Sequence, residues 1–156
     1  MPHYIGLDLG SVTCGVSESD TGFIARTVQT IRFKPDDYNA AMDKVLLLVE
    51  EKKPDFIVLG YPLLLNGDAG ERAQICEEFA EVLQEESGIP VTLWDERFTT
   101  HAAESILLEA DLSRKKRKKK IDQVAAVQIL QTYLDHQAIL KSEKENGTDE
   151  QNDDYR

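Results

Sequence analysis

The chain has 156 residues, 41% of them apolar and 30% charged, the size and composition of one globular domain. No run approaches the roughly 18 consecutive apolar residues of a membrane helix, and the first residues form no basic, apolar leader, so neither a membrane span nor a signal peptide is expected. The net charge of −11 argues against a general affinity for polyanions, but seven of the 18 basic residues form one unbroken run, Arg114, Lys115, Lys116, Arg117, Lys118, Lys119 and Lys120. Polyanion affinity follows local positive charge as well as the sum.

Residues 3–9 alternate as a strand, with Ile5, Leu7 and Leu9 on one side and Tyr4, Gly6 and Asp8 on the other. Gly10-Ser11 turns the chain into a second strand at 12–18. After Ser19-Asp20-Thr21-Gly22, residues 23–33 read as a third. Short connections make these an antiparallel meander. Pro35 opens a helix to about Lys53 whose apolar stripe is Tyr38, Met42, Val45 and Val49. Phe56-Ile57-Val58-Leu59 is wholly apolar, as in a central strand covered on both faces. A loop spans Gly60 to Gly70. The helix after it buries Ala73, Cys76, Phe79, Ala80 and Leu83 and ends at Gly88. Val91–Trp94 is the last strand. Thr99 or Thr100 caps a helix to about Ala110. The basic run comes next, then a helix from Ile121 to about Leu140. Residues 141–156 are polar and aperiodic and read as a disordered acidic tail behind a single domain at 1–140. Cys14 and Cys76 lack CxxC spacing and read as free, buried thiols.

The order βββ-α-β-α-β-α-α predicts an α/β fold with a five-stranded mixed sheet, the first strand pairing in parallel with the strand at 55–60 in its middle. Ligands of such sheets sit at the carboxyl ends of central strands, the edge that carries Asp8, Gly60, Asp95 and Glu96. Asp8 stands between Gly6 and Gly10, which leave room for an ion; from its strand alone it is equally a turn cap. Adjacent residues on a strand face opposite ways, so one of Asp95 and Glu96 is expected at the site, and alternation does not say which. Arg97 either pairs with the other or contacts a phosphate as a fork. Asp122 heads an apolar stripe, Ala126, Ile129 and Tyr133, in the expected first turn of the last helix. Three converging carboxylates repel one another unless a cation is bound or one is protonated. Their hard oxygens suit Mg²⁺ or Mn²⁺, and two such ions can activate water and steady both oxygens of a phosphoryl displacement. The histidines His3, His101 and His136 are scattered, and neither GxSxG nor a Walker sequence is present.

Gly6-Leu7-Asp8-Leu9-Gly10-Ser11, Val58-Leu59-Gly60-Tyr61-Pro62 with Asn66-Gly67, Asp95-Glu96-Arg97-Phe98-Thr99-Thr100 and Lys120-Ile121-Asp122-Gln123-Val124-Ala125-Ala126 follow one another in the order and spacing of the YqgF family. The chain resembles that family over residues 3–135. Its members are described as pre-16S rRNA nucleases and as Holliday-junction resolvases. The resemblance implies an RNase H-like fold, a cytoplasmic location, and Asp8, Glu96 and Asp122 as catalytic, metal-binding carboxylates for Mg²⁺ or Mn²⁺. It makes Gly60, Tyr61, Pro62, Asn66 and Gly67 a loop beside the site. Ser11, Arg97 and Arg114–Lys120 are the candidate nucleic-acid contacts.

The family's basic residue after Gly10 is replaced here by the uncharged Ser11-Val12-Thr13-Cys14. The expected substrate is structured RNA, in 5′-end maturation of precursor 16S rRNA. A four-way DNA junction is the alternative, and symmetric incision of it needs a dimer; the sequence leaves monomer and homodimer open. A nucleotide-binding protein is disfavoured, because actin-like ATPases need a second domain and a second Asp-Gly loop. A non-catalytic nucleic-acid-binding module is disfavoured by the retained carboxylates.

Overall fold

The computed structural model describes residues 2–64, 66–96 and 114–152, with side chains for all of these except 114–123 and 145–152. Arg97, Thr99, Thr100 and the helix expected up to Ala110 lie outside the described residues.

Three strands, β1 (Tyr4–Leu9), β2 (Thr13–Ser19) and β3 (Arg26–Arg32), form the antiparallel meander, with Asp8 opposite Gly15 and Thr13 opposite Arg32. The third strand is shorter than its β-branched composition predicts. Gly22 turns the chain at φ 81°, and Thr21 Oγ1 accepts from the N–H groups of Phe23 and Ile24, which keeps both out of the ladder and exposed. Two further strands, β4 (Phe56–Tyr61) and β5 (Val91–Asp95), add in parallel beyond β1, giving the order β3-β2-β1-β4-β5. The mixed sheet, with β1 and β4 at its centre, is the one expected.

Two helices, α1 (Tyr38–Lys52) and α2 (Glu71–Ser87), cover one face. The first starts after the expected Pro35, because the Asp37 carboxylate accepts from the Ala40 N–H at 3.0 Å and makes Asp37 the N-cap. Ile5, Leu7 and Leu9 enter the core on this side, with Val45, Leu48, Phe79 and Leu83. The last helix, α3 (Arg114–Asn152), lies on the other face over Val58 through Ile129, Leu130 and Leu134. It differs from expectation at both ends. The basic run is its first two turns rather than a preceding loop, and it continues to Asn152, past Leu140. Lys, Arg, Gln and Ala are strong helix formers, and no Gly or Pro stands between 114 and 144 to stop them.

The space at Gly6 also has a different use from the one expected. A Cβ there would fall 2.4 Å from Ser17 Oγ and 2.8 Å from Leu130 Cβ. Gly6 therefore admits α3 against the sheet instead of clearing room for an ion. Ser17, fully buried, ties the two layers by donating to the Ala126 carbonyl at 2.7 Å.

The opposite edge of the sheet carries a buried ion network. Glu18, 3% exposed, meets Arg26 at 2.5 Å and Lys52 at 2.9 Å. Burial pushes its carboxyl up, and the two cations more than offset that, so its pKa lies below the ordinary value.

Candidate active site

Leu7 of β1 pairs with Leu59 of β4, and the next residues of the two strands are Asp8 and Gly60. Glu96 follows directly on β5, whose Trp94 pairs with Gly60. A Cβ on Gly60 would fall 2.6 Å from Glu96 Oε2 and 2.6 Å from Ile129 Cδ1. The Glu96 carboxylate thus folds back over Gly60, beneath α3, on the sheet face that Asp8 shares with Gly6. One strand spacing, about 4.8 Å, separates Gly60 from Asp8. Gly60 is the floor of the site, and any larger residue would displace the carboxylate.

The electrostatics of this pair are the reverse of those at Glu18. Burial pushes the Glu96 carboxyl up to about 8, Asp8 and Asp95 add to the rise, and Arg72 opposes it without cancelling it. Glu18 is a buried carboxylate satisfied by cations. Glu96 is a half-buried carboxylate near another carboxylate, the kind of group that marks a site rather than a brace.

Arg72 was not singled out by sequence reasoning. It stands in the first turn of α2, where a cation opposes the helix dipole, and that local misfit was the available signal. Its guanidinium donates to the Leu9 carbonyl at 2.9 Å and to the Tyr38 hydroxyl at 2.6 Å, and Tyr38 donates to Asp36 at 3.2 Å. The Asp36 N–H in turn donates to the Ser11 carbonyl at 2.8 Å. Arg72 therefore joins the turn after Asp8, the start of α1 and the charge on Glu96. Cys76, one turn further along α2, is a buried free thiol, its pKa pushed up to about 12 by burial first and by Glu96.

The other expected residues fall around this pair. The Tyr61 hydroxyl donates to the Glu77 carboxylate, which fastens the end of β4 to α2. Beyond Pro62, Asn66 and Asp68 bond each other through Asn66 Nδ2 (3.1 Å) and Asp68 N–H (2.9 Å), and Gly67 turns the loop at φ 93°.

Position 122 lies in the third turn of α3, not its first, because the helix begins at Arg114. Its level follows from its neighbours. Tyr133 contacts Tyr4 at the start of β1, and Ala126 lies against Ser17, the partner of Gly6. The helix runs antiparallel to β1, and one more turn back, about 5.4 Å, carries position 122 to the level of Asp8, two residues or about 6.6 Å beyond Gly6. Among the described residues no group of three or more His, Cys, Asp or Glu side chains is arranged to hold a metal; the side chain of Asp122 is outside that set.

A five-stranded mixed sheet of this order, helices on both faces and carboxylates at the carboxyl ends of its central strands, is an RNase H-like domain. The chain matches the family model described as "RuvX: Holliday junction resolvase" over residues 2–136, and it belongs to that RuvX/YqgF family. It is 50% identical over 133 residues to a Desulfitobacterium hafniense protein named "Putative pre-16S rRNA nuclease", covering 85% of this chain and 91% of that protein. A Shouchella clausii protein of the same name is 46% identical over 135 residues, 86% of this chain and 95% of its own length. Among solved structures, T. thermophilus RuvC in complex with Holliday junction substrate superposes with a TM-score of 0.58 at 14% identity, covering 88% of this chain and 96% of that one. That likeness concerns the fold. Among the described residues no helix is long and apolar enough to cross a membrane.

Proposed function

We propose that the chain is a divalent-metal-dependent nuclease that hydrolyses phosphodiester bonds of structured RNA in the cytoplasm, at the 5′ end of precursor 16S rRNA. One observation carries this reading: Glu96, half-buried, lies near Asp8 at the carboxyl edge of the sheet, and burial and Asp8 raise its pKa against the pull of Arg72. Two neighbouring carboxylates supply hard oxygen donors of the kind that Mg²⁺ or Mn²⁺ takes. Asp8 and Glu96 would hold the metal, and Asp122, at the level of Asp8 on the facing helix, would complete the set. When bound, a pair of such ions supplies an activated water and steadies the attacking and leaving oxygens of an in-line displacement. The chain's own part is to fix the carboxylates: Gly60 seats Glu96, and Arg72 locks the turn after Asp8. The basic run Arg114–Lys120 opens α3 at the same edge, where helix N-terminus and cationic sequence both favour a phosphate backbone. Arg97 and Ser11 are further contacts.

The curated relatives are named for rRNA, which favours RNA as substrate. The family description favours a second reading, incision of a four-way DNA junction by a dimer. Cleavage of a precursor 16S rRNA fragment and of a four-way DNA junction, side by side in Mg²⁺ and in Mn²⁺, separates the two. Activity on the RNA is expected; activity on the junction alone moves the substrate to DNA, and activity on neither overturns the nuclease reading.

Arg72 gives a further expected result. Arg72→Met should raise the Mn²⁺ concentration for half-maximal cleavage by about 10- to 100-fold, the usual cost of losing a group that orients metal ligands. Arg72→Lys should recover part of this, because it restores charge near Glu96 but not the fork to Leu9 and Tyr38. A metal titration of cleavage rate checks both.

A further inference from the structure

The turn after Asp8 lacks a cation, Ser11-Val12-Thr13-Cys14 being uncharged. The fold brings cations to the same place from another strand. β3 ends at this edge: Arg32 is the register partner of Thr13, Phe33 N–H donates to the Val12 carbonyl at 3.0 Å, and Asp36 N–H donates to Ser11. Ile31 and Phe33 point into the core beneath α1, so Arg32 faces the other side of the sheet, the side of Asp8. Arg32 and Lys34 are exposed. Lys44 brings its ammonium to the same strand end, 2.6 Å from the Arg32 carbonyl.

Carboxylates also stand close by: Asp36 and Asp37 follow Lys34 in the chain, and Glu51 lines the same groove as Arg32 and Lys44. Arg26, on the same strand, is spent on Glu18. Asp36 accepts from the Tyr38 hydroxyl and Asp37 from the Ala40 N–H, which hold these two in place at the start of α1. Among the described residues neither Arg32 nor Lys34 is in an ion pair, on a chain that is strongly acidic overall.

The separation suits one strand of nucleic acid. Two strand spacings of about 4.8 Å and two residues of about 3.3 Å put the Arg32 backbone roughly 12 Å from that of Asp8. At about 3.4 Å of rise per nucleotide, this is within about four nucleotides of the bond at Asp8.

We propose that Arg32 and Lys34 form a phosphate-binding subsite for the substrate backbone, on the side of Asp8 away from β4. This inference rests on the nuclease reading above. Phosphate contacts of this kind position the substrate and carry no sequence preference.

The test is binding of the full chain to a precursor 16S rRNA fragment and to a four-way DNA junction, with EDTA present so that substrate persists, across a range of KCl concentrations. Arg32→Gln and Lys34→Gln keep most of the side-chain length at exposed positions. Each should weaken binding several-fold near 0.1 M salt and lower the slope of log affinity against log salt by about 0.7 to 0.9. Lys141→Gln, at the far end of α3, should change neither. If wild type binds but the Arg32 and Lys34 variants match it at every salt concentration, the subsite is wrong and the nuclease reading stands. If wild type binds neither probe, both fall.

Discussion

Asp8→Asn should lower the rate of cleavage in saturating Mn²⁺ or Mg²⁺ by on the order of a thousandfold. A metal's stabilisation of transition-state charge is worth several kcal/mol, and each 1.4 kcal/mol is about tenfold in rate. The substitution is nearly isosteric. Asp8 is the penultimate residue of β1, at the sheet's edge and outside the core cluster of Ile5, Leu7 and Leu9, so the fold should survive. Thermal stability without metal should hold or rise at pH 8 and above, where Glu96 ionises and the Asp8 charge penalises it. Single-turnover cleavage with circular dichroism melting checks both. A variant within threefold of wild type would remove Asp8 from the chemistry.

The second large effect concerns pH and stability. Burial and the Asp8 charge raise the Glu96 pKa in the folded chain to about 8, whereas an unfolded glutamate loses its proton near 4.3. Between these limits the folded state binds more protons than the unfolded one, so this contribution to stability is fully present below about pH 4 and is lost as the pH rises towards 8. The slope is at most about 1.4 kcal/mol per pH unit. Glu96→Gln carries no titrating group there, so it should flatten the profile and be more stable than wild type at pH 8 in EDTA, by on the order of a few kcal/mol. Glu18 works in the other direction and in another range. Its depressed pKa gives stability that is present above the ordinary glutamate value and is lost as the pH falls through the folded one. Divalent metal should restore wild type at pH 8 and leave Glu96→Gln nearly unmoved. Denaturant melts of both proteins from pH 5 to 8, with EDTA and with Mn²⁺, give the comparison; parallel profiles would contradict the assignment.

The sheet was legible because its patterns are local. Alternation in Ile5, Leu7 and Leu9 and the apolar run at 56–59 specify a two-sided strand pair, and the short turns leave the meander little choice. The placement of Asp8 followed from that alternation. What the residues alone left open was contact between elements. Gly6 looked like space for an ion, and α3 takes that space from a distance of more than a hundred residues in the chain. Alternation could not choose between Asp95 and Glu96, because the choice depends on Gly60 having no side chain. Arg72 carried no motif, and its role appears only when Leu9, Tyr38 and Glu96 meet. The basic run was expected ahead of the last helix and instead belongs to α3, because lysine and arginine propagate a helix well.

The most direct test of the central claim, that Asp8 and Glu96 hold a divalent metal, is calorimetric titration of Mn²⁺ into the wild-type chain and into an Asp8→Asn, Glu96→Gln double variant at pH 8. Wild type should bind with release of protons from Glu96, and the double variant should show no binding in the same concentration range. Equal affinity and stoichiometry in the two proteins, or no binding by wild type, would contradict the claim.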